Sequence, residues 1–131
     1  MDGYWQKDSL LGESYDVFGD GSLKIFDTAG HAEGHISALI RTKESFTLLT
    51  FDVAHLKANF DLGIPSGAVV SREDALDSLS KLKQLSITIP ALTVVFGHEP
   101  SQWICKTAME QLDVLGGKCV PPPVIQPVIQ Q

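Results

Sequence analysis

The chain alternates short apolar runs with polar or glycine-rich breaks. Residues 15–18 and 23–26 flank the break Gly19-Asp20-Gly21. Asp-Gly is a strong hairpin signal because the turn needs positive φ, so this spacing predicts a β-hairpin. Residues 1–14 carry no clear period, and Tyr4 and Trp5 are expected to cover a core edge rather than line a pocket mouth. Residues 36–40 form another short strand, and Arg41-Thr42-Lys43-Glu44-Ser45 reads as a polar turn. Phe46-Thr47-Leu48-Leu49-Thr50-Phe51 is nearly continuous, as expected for a strand buried on both faces. Residues 53–60 read as a loop or short helix, and Gly63-Ile64-Pro65-Ser66-Gly67 as a break.

A helical period begins at Ser71. Ser71 is a good N-cap, and Glu73 and Asp74 place negative charge at the positive end of the helix dipole. Ala75, Leu76, Leu79, Leu82 and Leu85 recur at helical spacing and predict a stripe laid on a core. Pro90 starts the next segment, and residues 91–96 read as the last strand. A second helix is predicted over 101–115, with Trp103, Met109 and Leu112 on or near one face and Gly116-Gly117 ending it. The tail, Pro121-Pro122-Pro123 with two Val-Ile-Gln steps, cannot continue a helix. Strands first, then helix, strand and helix, predict an α/β (α+β) layer: a sheet with helices on one face. The expected domain covers 1–115, and 116–131 is a Pro-rich tail.

Composition narrows this picture. A chain of 131 residues fits one domain, and 44% hydrophobic with 20% charged residues is ordinary for a soluble globular protein. The net charge of −6 argues against nucleic acid or an anionic membrane as the main partner, since both call for clustered Lys and Arg. No basic segment followed by an apolar one opens the chain, and no apolar stretch approaches the roughly 18 residues of a membrane span. Cys105 and Cys119 are too few for a disulfide scaffold and lack metal-site spacing. Two reduced thiols fit a cytoplasmic protein.

The candidate chemistry lies at the ends of the apolar runs. Asp27-Thr28-Ala29-Gly30-His31-Ala32-Glu33-Gly34-His35 follows the hairpin. Its two histidines are four apart, but a glycine precedes each, and each would cost a helix interior about 1 kcal/mol. A loop is the better reading, and a histidine there has a free ring. Asp52 ends the run 46–51, and His98 ends 91–96 after Gly97. Three strand-like runs thus deliver a His, an Asp and a His to what would be one sheet edge. Neutral imidazole and carboxylate are ligands that zinc prefers.

These residues resemble the C-terminal half of metallo-β-lactamase-fold hydrolases, most closely the N-acyl-homoserine lactone lactonases. Similar proteins carry Thr-Pro-Gly-His-x-x-Gly-His, which here reads Thr28-Ala29-Gly30-His31-Ala32-Glu33-Gly34-His35. They follow it with a strand ending in a metal-bridging Asp, here Leu48-Leu49-Thr50-Phe51-Asp52, a short segment like 53–60, and a strand ending in Gly-His, here Phe96-Gly97-His98. The resemblance runs from about residue 3 to residue 103. It implies an αββα sandwich, of which this chain covers about the C-terminal half. It further implies His31 on one metal, Asp52 bridging two, His98 on the second, and zinc as the metal, two ions per complete site. His55 falls where lactonases place a residue that polarises the substrate carbonyl, a tyrosine in the best-known members, which gives it a catalytic role. His35 is expected to support the loop. The implied reaction is hydrolysis of a lactone or ester by metal-bound hydroxide.

The departures are specific. Ala29 replaces a proline, and Phe51 replaces a common glycine. The family's His-x-His-x-Asp-His motif is absent, and the four histidines are His31, His35, His55 and His98. The expectation is therefore a truncated form with an incomplete zinc site and an apolar sheet face open to water. Three readings follow: a hydrolase acting with a separate N-terminal half, a non-catalytic interaction protein using the open face, or a homodimer whose two copies cover each other's sheets.

Overall fold

The structure, a computed structural model, describes residues 4–103. The helix predicted over 101–115, the Pro-rich tail and both cysteines lie wholly or mostly outside the described residues. Residues 4–99 belong to one compact unit, and the described part of the second unit is a single 3-10 turn, Pro100–Trp103.

The first unit is one six-stranded sheet with strands in chain order. They are β1 (Gln6–Asp8), β2 (Gly12–Asp16), β3 (Leu23–Asp27), β4 (Ile36–Arg41), β5 (Phe46–Phe51) and β6 (Leu92–Phe96). β1 to β5 pair antiparallel with their neighbours, and β6 joins β5 in parallel. A parallel partner needs a long crossover, supplied here by α1 (Lys57–Leu62) and α2 (Arg72–Thr88). The expected hairpin is β2–β3. Its turn is held by Asp16, whose carboxylate accepts the Gly19 and Gly21 N–H groups at 3.0 and 2.8 Å. β1 is the strand that periodicity did not foretell. Tyr4 is exposed rather than covering a core edge, and the Trp5 and Tyr15 rings sit 6.3 Å apart.

Side-chain alternation divides the sheet into two faces. Phe26, Leu39, Leu48 and Phe96 are buried with Leu79, Leu82 and Leu85 of α2 and Phe60 of α1. On the other face, Tyr15, Leu23, Ile25, Ile36, Ile40, Leu49 and Val95 are only half-buried. Phe46–Phe51 is therefore not buried on both faces as its apolar run suggested. Ser71 caps α2, its Oγ accepting the Asp74 N–H at 3.2 Å. The core stripe of α2 is Ala75, Ser78, Leu79, Leu82 and Leu85, whereas Leu76 is 40% exposed. One residue past Ala75, Leu76 lies about 100° around the helix from the stripe, so the apolar periodicity placed it on the wrong side.

The folded stretch repeats the α/β layer expected from the chain order. β3, β5 and β6 all run in one direction, so their C-terminal ends share one sheet edge.

Candidate metal centre

The loop after β3, the end of β5 and the end of β6 meet at that edge. Four hydrogen bonds from α2 and the two residues before it hold the first loop. The Gly30 carbonyl accepts the N–H groups of Val70 and Ser71 at 2.9 and 3.0 Å, just before the helix. Ser78 Oγ donates to the Ala29 carbonyl at 2.7 Å, and Lys81 Nζ to the Asp27 carbonyl at 2.8 Å. Gly30 has φ of +137°, and a β-carbon there would stand 2.3 Å from the Ala75 nitrogen. The loop can lie this close to the helix only because position 30 is glycine.

Buried hydroxyls tie the strand ends beneath the site. Thr28 Oγ1 and Ser37 Oγ are 2.9 Å apart, Ser37 donates to the Thr50 carbonyl, and Thr50 Oγ1 donates to the Ala54 carbonyl at 3.1 Å. His35 sits on this frame. Its Nε2 accepts the Asp52 N–H at 3.2 Å, so its proton is on Nδ1, which donates to the Thr28 carbonyl at 3.1 Å. Burial pushes the His35 ring down from its ordinary pKa, despite that carbonyl. His35 thus orients Asp52 through the backbone.

Asp52 is the centre of the cluster. Its Oδ2 lies 3.6 Å from His31 Nε2, and its Oδ1 lies 3.3 Å from His55 Nε2 and 3.0 Å from His98 Nε2. Burial pushes the Asp52 carboxyl up, but the His98 hydrogen bond and the nearby His31, His55 and His98 rings outweigh it and hold the group below the usual carboxylate range. Burial pushes the His55 ring down, and His98 adds to that effect. The His55 and His98 ring centroids are 4.3 Å apart, and those of His31 and His55 are 5.6 Å apart. Backbone bonds fix the β6 end, Gly97 N–H donating to the Ala54 carbonyl and His98 N–H to the His55 carbonyl at 2.8 Å.

The structure therefore brings His31, Asp52 and His98 together, as the sequence pattern anticipates, and places His55 among them. Sequence reasoning missed the hydroxyls of Thr28, Ser37, Thr50 and Ser66. Ser66 Oγ accepts the His55 N–H and donates to the Asp52 carbonyl, both at 3.4 Å. The signal available was polar residues recurring inside the apolar runs next to the histidine loop.

This cluster fits a divalent cation. His31 Nδ1 and His55 Nε2 are the buried side-chain polar atoms that lack a hydrogen-bond partner among the described residues. Buried polar groups are normally satisfied, so an orphaned nitrogen on each of two rings that approach Asp52 marks a place for a ligand. One donor atom each from His31, Asp52 and His55 lies within 4.8 Å of the others.

No family profile matches the chain. The N-acyl homoserine lactonase AttM of Rhizobium radiobacter is 40% identical over 90 residues, which are 68% of this chain and 34% of that protein. This chain is a relative of the N-acyl homoserine lactonases. The lactonase of Bacillus cereus is 37% identical over 81 residues, 61% of this chain and 32% of that protein. A solved N-acyl homoserine lactone hydrolase, with N-hexanoyl-L-homoserine bound at its catalytic metal center, superposes with a TM-score of 0.61 at 33% identity, over 68% of this chain and 34% of that one. A probable metal-dependent hydrolase from Staphylococcus aureus shares the fold with a TM-score of 0.58 at 12% identity, over 68% of this chain and 31% of that one. The described residues carry part of the α/β metallo-β-lactamase-like fold. The chain spans about a third of the length of the lactonases it matches.

Proposed function

We propose that this chain serves metal-dependent hydrolysis of a lactone or ester ring, with zinc as the cation. The observation that supports this most is the cluster itself: imidazoles converge on both oxygens of Asp52, and two of their buried nitrogens have no partner. The lactonase relatives supply the reaction class. Asp52 and the rings around it would hold the cation, which when bound polarises a carbonyl and lowers the pKa of water. The chain's own contribution is placement. His35 and Ser66 fix the Asp52 backbone, α2 fixes the loop that carries His31, and the bonds of Gly97 and His98 fix the third strand end.

The test uses the chain purified without chelator. Zinc per chain is measured by elemental analysis, and opening of an N-acyl homoserine lactone and of a simple ester is followed by proton release. Ring opening that needs zinc, stops with chelator and is lost in Asp52→Ala is expected. A zinc-loaded chain that opens neither substrate overturns the hydrolase reading.

The half-buried apolar face supports a second reading, in which two copies of the chain cover each other's sheets. A monomer by light scattering after size exclusion would rule it out.

A further inference from the structure

We infer that the chain carries a second ligand site, for a monocarboxylate with an apolar chain, at the sheet edge opposite the histidine cluster. β3, β4 and β5 set Lys24 beside Leu39 and Arg41 beside Phe46. All four lie on the face that Leu48 shares with α2. Phe46 opens β5 and Phe51 closes it, about 16 Å along the strand. α2 does not cover this last row. Its buried stripe ends at Leu85, the Ile89 N–H donates to the Leu85 carbonyl at 2.9 Å, and Pro90 cannot continue a helix. The space left under the helix end is a cavity of about 380 Å³, lined mainly by apolar side chains together with Lys24 and Arg41. That volume is within the range of small-ligand pockets.

The lining selects the ligand. Leu11 and Leu39 are buried, Phe46 and Ile89 pack against the core, and Leu10 is 46% exposed, so apolar surface runs from the core outward. The side-chain acceptors in the lining already hold partners. Asp8 Oδ1 takes the N–H groups of Leu10 and Leu11, Asp8 Oδ2 pairs with Lys24 at 3.2 Å, and Thr88 Oγ1 takes the Gln84 side-chain N–H at 3.4 Å. The donors have capacity left. Among the described residues, Lys24 Nζ gives its one bond to Asp8, and the Arg41 guanidinium gives one, from Nη2 to the Asp20 carbonyl at 2.5 Å. An ammonium carries three N–H donors and a guanidinium five. Arg41 is also held at its base, where its backbone N–H donates to the Ser22 carbonyl at 2.8 Å. An acceptor head joined to an apolar chain satisfies both parts of this lining. A carboxylate does so best, because it takes paired bonds from a guanidinium and carries the opposite charge. An ammonium head would meet two cations of its own sign.

The test uses the full chain with chelator present, so that no bound metal can take the carboxylate. Octanoate is titrated and followed by NMR, with acetate, 1-octanol and octylammonium as comparators. Nuclear Overhauser effects from the octanoate chain locate it. Octanoate should saturate one site, with contacts to Leu39 and Phe46. Octanol and octylammonium should bind about 10-fold more weakly or worse, for want of a charge-assisted pair. Acetate should not saturate, since each methylene buried is worth about fourfold. Arg41→Gln should weaken octanoate about 10-fold or more. Thr88→Phe, which narrows the cavity from an exposed position, should weaken it with both cations in place. Octanoate contacts to Ile25 and Ile40 instead, on the opposite face, overturn the proposal. So do equal affinities for octanoate and octanol, full affinity in both variants, or no saturable binding to the wild-type chain. Each of these results leaves metal-dependent hydrolysis untouched, because that activity is read with zinc present at the other edge.

Discussion

Phe51 has φ of +48°, a left-handed conformation that side chains with a β-carbon rarely adopt. It is 43% exposed, so little burial offsets the strain. Phe51→Gly is expected to raise stability by about 0.5–1 kcal/mol, relief of strain outweighing the extra unfolded-chain entropy of glycine. Urea unfolding measures this. The reverse holds at Gly97. A β-carbon there would stand 2.4 Å from the Phe51 carbonyl oxygen and 3.4 Å from Asp52 Oδ1. Gly97→Ala is expected to cost about 2 kcal/mol or more, as overpacking does, and to weaken cation binding at the proposed site by displacing Asp52. Urea unfolding and chelator competition on that variant check both effects. His31, Asp52 and His98 were legible in the sequence because each closes an apolar run beside glycine or a strand end. The approach of His55 and His98 to the same Asp52 oxygen was not, since it depends on how two chain segments meet in space. Thr28, Ser37 and Thr50 were illegible for another reason: a hydroxyl in a strand reads as ordinary alternation until the register sets three of them side by side.

Among the elements, β4 and β5 were readable to within a residue, because continuous apolar runs bounded by polar turns leave little choice of ends. β1 was not, because Gln6–Asp8 has no apolar member and gains its strand conformation from pairing with β2. Asp8 anchors that edge. Its carboxylate accepts the N–H groups of Leu10 and Leu11 at 2.8 and 3.2 Å and pairs with Lys24 at 3.2 Å. The Leu10 hydrogen bond, opposed by burial and aided by Leu11 and Lys24, holds the Asp8 carboxyl below the usual carboxylate range. A depressed folded pKa stabilises fully above the unfolded value and ceases to as pH falls through the folded value. Asp8→Asn should therefore melt below wild type at neutral pH, and the gap should close as pH drops through the acid range. Thermal melts across pH show this directly.

At the scale of the molecule, the two sheet faces make opposite demands. Leu48 is fully buried against α2, and a charge there has no partner. Leu48→Lys is expected to prevent folding. Ile25 lies half-buried on the other face, opposite Tyr15 and Ala38. Ile25→Lys is expected to keep the far-ultraviolet circular dichroism spectrum and to cost only about 1 kcal/mol, with less binding of an apolar dye. Spectra, melts and dye fluorescence of the two variants separate the faces. The layer itself was legible from element order. The exposure of one face was not legible from 46–51 alone, because a strand with one uncovered face reads the same as a strand between two layers.

The strand order has a kinetic consequence. β1 to β5 pair with immediate chain neighbours, whereas β5 and β6 join residues as far apart as Phe46 and Leu92. Short loops close before long ones, so β6 is expected to dock last. Gly97 and His98 arrive with it, which makes the proposed cation site a product of the final folding step. A bound cation then acts as a latch on a finished fold. It should slow unfolding and leave the folding rate almost unchanged, a pattern that denaturant jumps with and without zinc would record as a shift in one limb only.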